Sequence, residues 1–172
     1  MKKKITFFMM TLALAGTLCA CKGDTDTYKE PGTASETGSK VDKEVNVQEL
    51  ADRLLENVPF KDKLETMDEA IVTERLYGLE ADRLESIAFY GSTGASAEEI
   101  AVIKVKDEDY TEAVKEALNT RVSEQKEACR DYLPDEVTKL EKAVIVSSGS
   151  YVAFCVSEDN KKASEIIEDA LK

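Results

Sequence analysis

Histidine is absent from all 172 residues. The commonest general base and metal ligand is therefore missing. Neither a Ser-His-Asp nor a Cys-His arrangement can be assembled. Tryptophan is absent too, and proline occurs three times, at Pro31, Pro59 and Pro134. Positive charge is in short supply: the net charge is −12. A surface that acidic opposes binding to nucleic acid or to anionic lipid head groups. No apolar run approaches the roughly 20 residues that a membrane-spanning helix needs.

What is present begins with a processing signal. Lys2, Lys3 and Lys4 form a basic start, and Ile5 to Leu18 form an uncharged apolar run. The run is too short for a hydrocarbon core of roughly 30 Å, and a basic start, short apolar run and small-residue end mark an export signal over residues 1–20. Leu18-Cys19-Ala20-Cys21 is its distinctive end. A leucine, a small residue and then a cysteine fit lipidation at Cys21, whose thiol would carry a diacylglycerol. Cys19 fits less well, because bulky Leu18 would sit at the cut. Each buried CH2 is worth roughly 0.8 kcal/mol, so two or three acyl chains hold a protein on a membrane without a spanning helix. Loss of residues 1–20 removes three lysines and no acid, leaving the remainder more acidic still.

Residues 21–45 are polar, with Gly, Thr, Ser and Pro31 and almost nothing apolar. Such a composition cannot offset its ordering entropy and is expected to be a disordered tether. Residues 46–172 have the length of a single domain. Asn46 and Glu49 open a helix with apolar positions Val47, Leu50, Ala51, Leu54, Leu55 and Val58, stopped by Pro59. Leu64, Met67, Ile71, Val72 and Leu76 suggest a second, less regular helix ending near Gly78. Leu84 to Gly91 and Glu99 to Lys106 read as a hairpin around Ser92-Thr93-Gly94-Ala95-Ser96. Asp107-Glu108-Asp109 opens a long helix with Tyr110, Val114, Ala117, Leu118, Val122, Cys129 and Tyr132 on its apolar face. Pro134 stops it or starts a short turn. Ala143 to Ser148 and Tyr151 to Ser157 form a second hairpin, and Asp159 opens the last helix.

The expected architecture is α+β, in the order α-α-β-β-α-β-β-α, with a four-stranded, mostly antiparallel sheet built from two hairpins and helices packed on it. The second and fourth strands are apolar on both faces. Either helices cover both, or one face is a contact surface; partial covering by the two N-terminal helices is preferred. Cys129 and Cys155 are expected on opposite faces of the sheet, as two free, buried thiols.

Carboxylates are the remaining candidates for chemistry. Glu98 and Glu99 are neighbours on a strand and point to opposite faces, which argues against a working pair. Asp107-Glu108-Asp109 and Glu158-Asp159 sit at helix starts, where capping explains them better than weak Ca2+ binding. Gly91 to Ser96 reads as a hairpin loop rather than an anion nest. Arg121 and Gln125 lie one turn apart beside the long helix's apolar stripe. They form either a polar site between helix and sheet or, the preferred reading, an arginine stem laid on the core edge with its head in water. Tyr90 and Tyr151 share a small-residue face with Ala88 and Ala153. Exposed, they would be a platform for a peptide or glycan; the preferred reading is burial under the first helices.

Gly94 to Lys104, Arg121-Val122 with Gln125, Tyr132-Leu133-Pro134 and Gly149-Ser150-Tyr151-Val152 resemble a family of uncharacterised lipoproteins of Gram-positive anaerobic bacteria, built around a domain of unknown function. The resemblance spans about residues 48–170. It implies an exported, membrane-anchored protein and supplies no catalytic residues. Cys129 and Cys155 depart from it, standing where ordinary apolar residues are expected.

These features point to a lipid-anchored protein on the outer face of the cell membrane, acting as a non-catalytic binding or interaction module. Its expected partners are the membrane, through the lipid, and an envelope protein or glycan. No nucleic acid, cofactor, metal or catalytic residue is expected. The alternative is a carboxylate-dependent envelope enzyme such as a glycan hydrolase, which needs two acids at a defined separation across a cleft. A two-lobed solute receptor is excluded by the domain's size.

Overall fold

The computed structural model describes residues 44–172. Cys21 and nearly all of the proposed tether lie outside them. Helix α1 (Val47–Asn57) starts where the Asn46 side chain accepts from the amides of Gln48 and Glu49. Glu49 answers through the Asn46 side-chain amide, at 3.3 Å. The helix gives out at Val58, before Pro59.

The sheet is antiparallel throughout: β1 (Leu64–Glu65), β2 (Leu84–Ser92), β3 (Glu99–Val105), β4 (Val144–Ser148) and β5 (Tyr151–Val156), in the order β1-β2-β3-β5-β4. Five strands replace the four expected. The extra one is β1, whose Leu64 and Glu65 pair with Ser92 and Gly91 at the far end of β2. Two residues are too few to show an alternating pattern. Leu64, read as part of a helix, is instead buried against α1. The expected second helix shrinks to a wide π-type turn, Ile71–Leu76, and Met67 and Ile71 are exposed.

Both faces of the sheet are covered. Ala101, Ile103, Val105, Val152, Phe154 and Val156 turn to one face and meet Val114, Leu118 and Val122 of α2 (Thr111–Cys129) and Leu140 of α3 (Pro134–Leu140). Ile100, Val102, Ala153 and Cys155 turn to the other and meet Leu50 and Leu54 of α1 and Ala163 and Ile167 of α4 (Asn160–Ala170). The expected alternation of β3 and β5 is thus observed. The covering differs, because α4 joins α1, whereas the π-type turn packs its Val72 on the α2 face. Burying each large aliphatic or aromatic side chain in these layers contributes roughly 1.5–3 kcal/mol. Tyr132 does not continue the apolar face of α2: it lies beyond the helix end and is 86% exposed. The β4–β5 turn places Gly149 at φ 53°, a conformation that favours glycine.

Cys129 and Cys155 are free and pack on opposite faces, Cys129 half-buried beside α3 and Cys155 fully buried under α4. Burial pushes the Cys155 thiol up to about 12. In native protein Cys155 is expected to resist a thiol reagent, whereas Cys129 reacts slowly. In denaturant both should react without reductant. Labelling that needs a reductant first would mean a disulfide and a different phase for β5.

Candidate functional site

The N-terminal end of β3 gathers most of the buried charge. Glu98 enters the strand in a stretch, Gly91 to Ile103, whose only charged residues are Glu98 and Glu99. Its carboxylate accepts from the backbone amides of Lys61 and Asp62, at 2.9–3.0 Å, and from Nζ of Lys139, at 3.0 Å. Lys139 projects from α3 and also reaches Glu136 at 3.0 Å and Glu158 at 2.7 Å. Glu136 accepts in turn from the Ala97 amide at 3.0 Å. Glu98 and Glu136 are both fully buried. Burial pushes the Glu98 carboxyl up, but the two amides and Lys139 outweigh it, and the net shift is below its ordinary value. Burial likewise works against the Lys139 ammonium, and its three glutamates more than compensate, raising its pKa.

Glu99 turns to the α2 face. It accepts from Nη2 of Arg121 at 2.8 Å, from the Tyr77 hydroxyl at 2.9 Å and from Nε2 of Gln125 at 3.3 Å. Burial, then the facing Glu99 carboxylate, holds the Tyr77 phenol well above its usual range. Arg121 and Gln125 are therefore joined in a polar cluster between helix and sheet, and the arginine head binds Glu99 rather than lying free in water. A pocket of about 180 Å³ adjoins the cluster, with Met67, Leu76 and Phe89 on its apolar side and Ser92, Ser96 and Arg121 on its polar side. Gly91 keeps this end closely packed, since a Cβ there would come within 2.6 Å of the Phe89 ring.

The tyrosines fall elsewhere. Tyr90 and Tyr151 share the face of Ala88 and Ala153, packed with the α1 cluster. The Tyr90 hydroxyl donates to Asp52 at 2.6 Å and accepts from Gln48 at 3.0 Å. Tyr151 is buried, its hydroxyl accepts from the Val45 amide at 3.1 Å, and its ring lies 5.6 Å from Nζ of Lys104. Lys104 bridges Glu85 and Glu44. These contacts clamp the start of the described chain to one end of the sheet, where β3 finishes and the β4–β5 turn lies. Tyr151 is buried and Tyr90 half-buried against the α1 layer, which fits packing under the first helix better than an open platform.

Beside the Lys139 cluster a groove of about 1070 Å³ opens between α3, the start of β4 and the start of α4. Sequence reasoning missed Glu136 and Lys139, and read Glu158 as a helix-start acid, whereas Asp159 makes the cap and Glu158 pairs with Lys139. Only the Glu136–Lys139 spacing of three, one helical turn, hinted at any of it. Among the described residues, no group of three or more acids, cysteines or histidines is arranged to hold a metal ion, and no helix is long and apolar enough to cross a membrane.

The chain matches no curated protein and no solved structure. Residues 57–157 do match a family model, and they carry all five strands, α2, α3, Glu98, Glu99, Arg121 and Lys139. That span is narrower than the resemblance read from the motifs and exceeds half of the chain. The chain therefore belongs to the family described as a domain of unknown function, DUF4358.

Proposed function

We propose that the protein is a lipoprotein, anchored through Cys21 to the outer face of the cell membrane, and that its domain is a non-catalytic interaction module for another envelope component. The observation that carries the proposal is Leu18-Cys19-Ala20-Cys21 behind Lys2–Lys4 and the short apolar run. The acidic remainder of the chain keeps the domain off an anionic membrane surface.

Two features of the domain support the module reading. Glu98 and Glu99 are each held by a fixed cation, Lys139 (shared with Glu136 and Glu158) and Arg121, and each is surrounded by further donors. Such pairs hold a fold in place rather than moving protons. The join to the N-terminal segment, at Glu44 and Val45, lies at one end of the sheet, while the groove and the pocket lie at the other. Six residues of β-strand separate the two ends by about 20 Å. An anchored chain would thus present its groove away from its point of attachment.

In the native host, mild protease on whole cells is expected to release a fragment beginning near Val45. Cys21→Ala should give uncleaved precursor or protein lost to the medium, while Cys19→Ala changes little. Membrane retention of the Cys21→Ala protein, with a normally processed N-terminus, would refute the anchor.

A further inference from the structure

We propose that the pocket beside Glu99 binds the N-acetyl group of an amino sugar, so that the domain's envelope partner is a glycan carrying such sugars. This names the partner of the interaction module and rests on that reading. One oxygen holds the polar wall of the pocket. Glu99 Oε2 accepts from Nη2 of Arg121 at 2.8 Å and from Nε2 of Gln125 at 3.3 Å. That pairing leaves one group on each side chain unused. Arg121 Nη1 has no partner among the described residues, although the side chain is only 22% exposed. Gln125 Oε1 is buried and has no partner either. Buried polar atoms are ordinarily paired, so an orphan on a residue of a pocket wall points to a ligand. Thr73 Oγ1 and Arg83 Nε, the other orphans among the described residues, belong to no part of this wall.

The groups already paired fix the ligand's charge. Glu98 and Glu99 both line the pocket, and Arg121 is the one cation lining it. An anionic ligand would meet two carboxylates. A cationic ligand would find their oxygens taken: Glu99 by Arg121, Tyr77 and Gln125, and Glu98 by Lys139, Ser96 and the amides of Lys61 and Asp62. A neutral group remains, with an acceptor for Arg121 and a donor for Gln125. A secondary amide offers both side by side. The last torsion of a glutamine is soft, so a donor in the pocket draws Oε1 toward it at little cost. The opposite wall, Met67, Leu76 and Phe89, is apolar and suits the acetyl methyl. Tyr77 braces the two walls together, its hydroxyl on Glu99 and its ring edge-on to Phe89 at 6.3 Å between centroids.

Size decides between the sources of such an amide. A volume of about 180 Å³ is room for roughly six waters. An acetamido group is a nitrogen, a carbonyl and a methyl, hung from its sugar by a single bond. It enters a pocket this small and leaves the ring outside. An amide inside a peptide chain continues in both directions and needs an open groove instead.

The test uses the full chain in detergent and the trimer of N-acetylglucosamine. Saturable binding is expected at roughly millimolar sugar. The NMR signals of the Gln125 side-chain amide and the Arg121 Nε–H should shift, with magnetisation transferred to the acetyl methyls. Cellotriose carries a hydroxyl in place of the acetamido group, and the glucosamine trimer an ammonium. Each should bind about tenfold more weakly or less. Gln125→Met, at a half-buried position, should also weaken binding about tenfold without unfolding the domain. If Gln125→Met fails to fold, the sugar series on the unaltered chain decides alone. No saturable binding, equal binding of cellotriose, or shifts confined to other residues would each overturn the proposal. So would tighter binding of tetra-alanine, the peptide source of the same amide. These failures would leave the module reading with a protein partner. Hydrolysis of the bound trimer would instead support the site and contradict the module reading.

Discussion

Lys139→Met is expected to lower the unfolding free energy at pH 7 by about 3 kcal/mol, because removing one partner leaves buried charge uncompensated. Two carboxylates that are fully buried, Glu98 and Glu136, would lose their common counter-charge. The backbone amides of Lys61, Asp62 and Ala97 remain as donors and keep the loss from being larger. Chemical denaturation measures the change, and a loss below 1 kcal/mol would show that the cluster is hydrated. The pH dependence has a fixed sign. The Glu98 carboxyl lies below its ordinary value of 4.5 in the folded state. Its contribution is therefore complete above pH 4.5 and is lost as pH falls through the lower folded value. Wild-type stability should decline over that acid range. The Lys139→Met protein has less to lose there, so the gap between the two should narrow on acidification.

Arg121→Met is expected to cost about 2–3 kcal/mol by the same reasoning applied to Glu99. Glu99 is 2% exposed and would keep only Tyr77 and Gln125 as donors. Arg121→Lys should recover little, since Glu99 is approached by both Nη2 and Nε of the guanidinium, at 2.8 and 3.3 Å, and an ammonium cannot reproduce that fork. Glu99→Gln combined with Arg121→Met should recover part of the loss, because the residual buried group is then neutral. Arg53→Met provides the contrast. Its pairing with Asp169 is exposed on both sides, and its loss should stay within about 0.5 kcal/mol.

The sequence was informative wherever a pattern repeats. The runs Ile-Ala-Val-Ile and Tyr-Val-Ala-Phe-Cys-Val are apolar on both faces, and β3 and β5 are indeed the central strands between two helical layers. The alternation of β5 turns Cys155 away from α2, whose apolar spacing carries Cys129, and the two thiols do lie on opposite faces. Patterns failed where an element is short. Two residues of β1 carry no period, and the apolar spacing from Leu64 to Leu76 mimicked a helix that the chain forms only as a π-type turn. Tyr132 followed the helical spacing of α2 but lies past its end, in solvent.

The candidate site was legible in part. The opposite orientations of Glu98 and Glu99 follow from strand geometry, although that reading only argued against a working pair and marked neither as the centre of a buried cluster. Arg121 and Gln125 were singled out, though their common partner Glu99 lies 22 and 26 residues away in sequence. The Lys139 cluster was not legible, because Glu98 and Lys139 are 41 residues apart and their meeting depends on how α3 docks against the end of β3. Side-chain pairing across such separations is a property of packing, which no local pattern encodes.

Anchoring through Cys21 is tested most directly by mass spectrometry of the N-terminal peptide recovered from the membrane fraction of the native host. The expected peptide begins at Cys21 and carries a thioether-linked diacylglycerol. An unmodified N-terminus at any other residue would contradict the anchor and, with it, the placement of the domain on the outer face of the membrane.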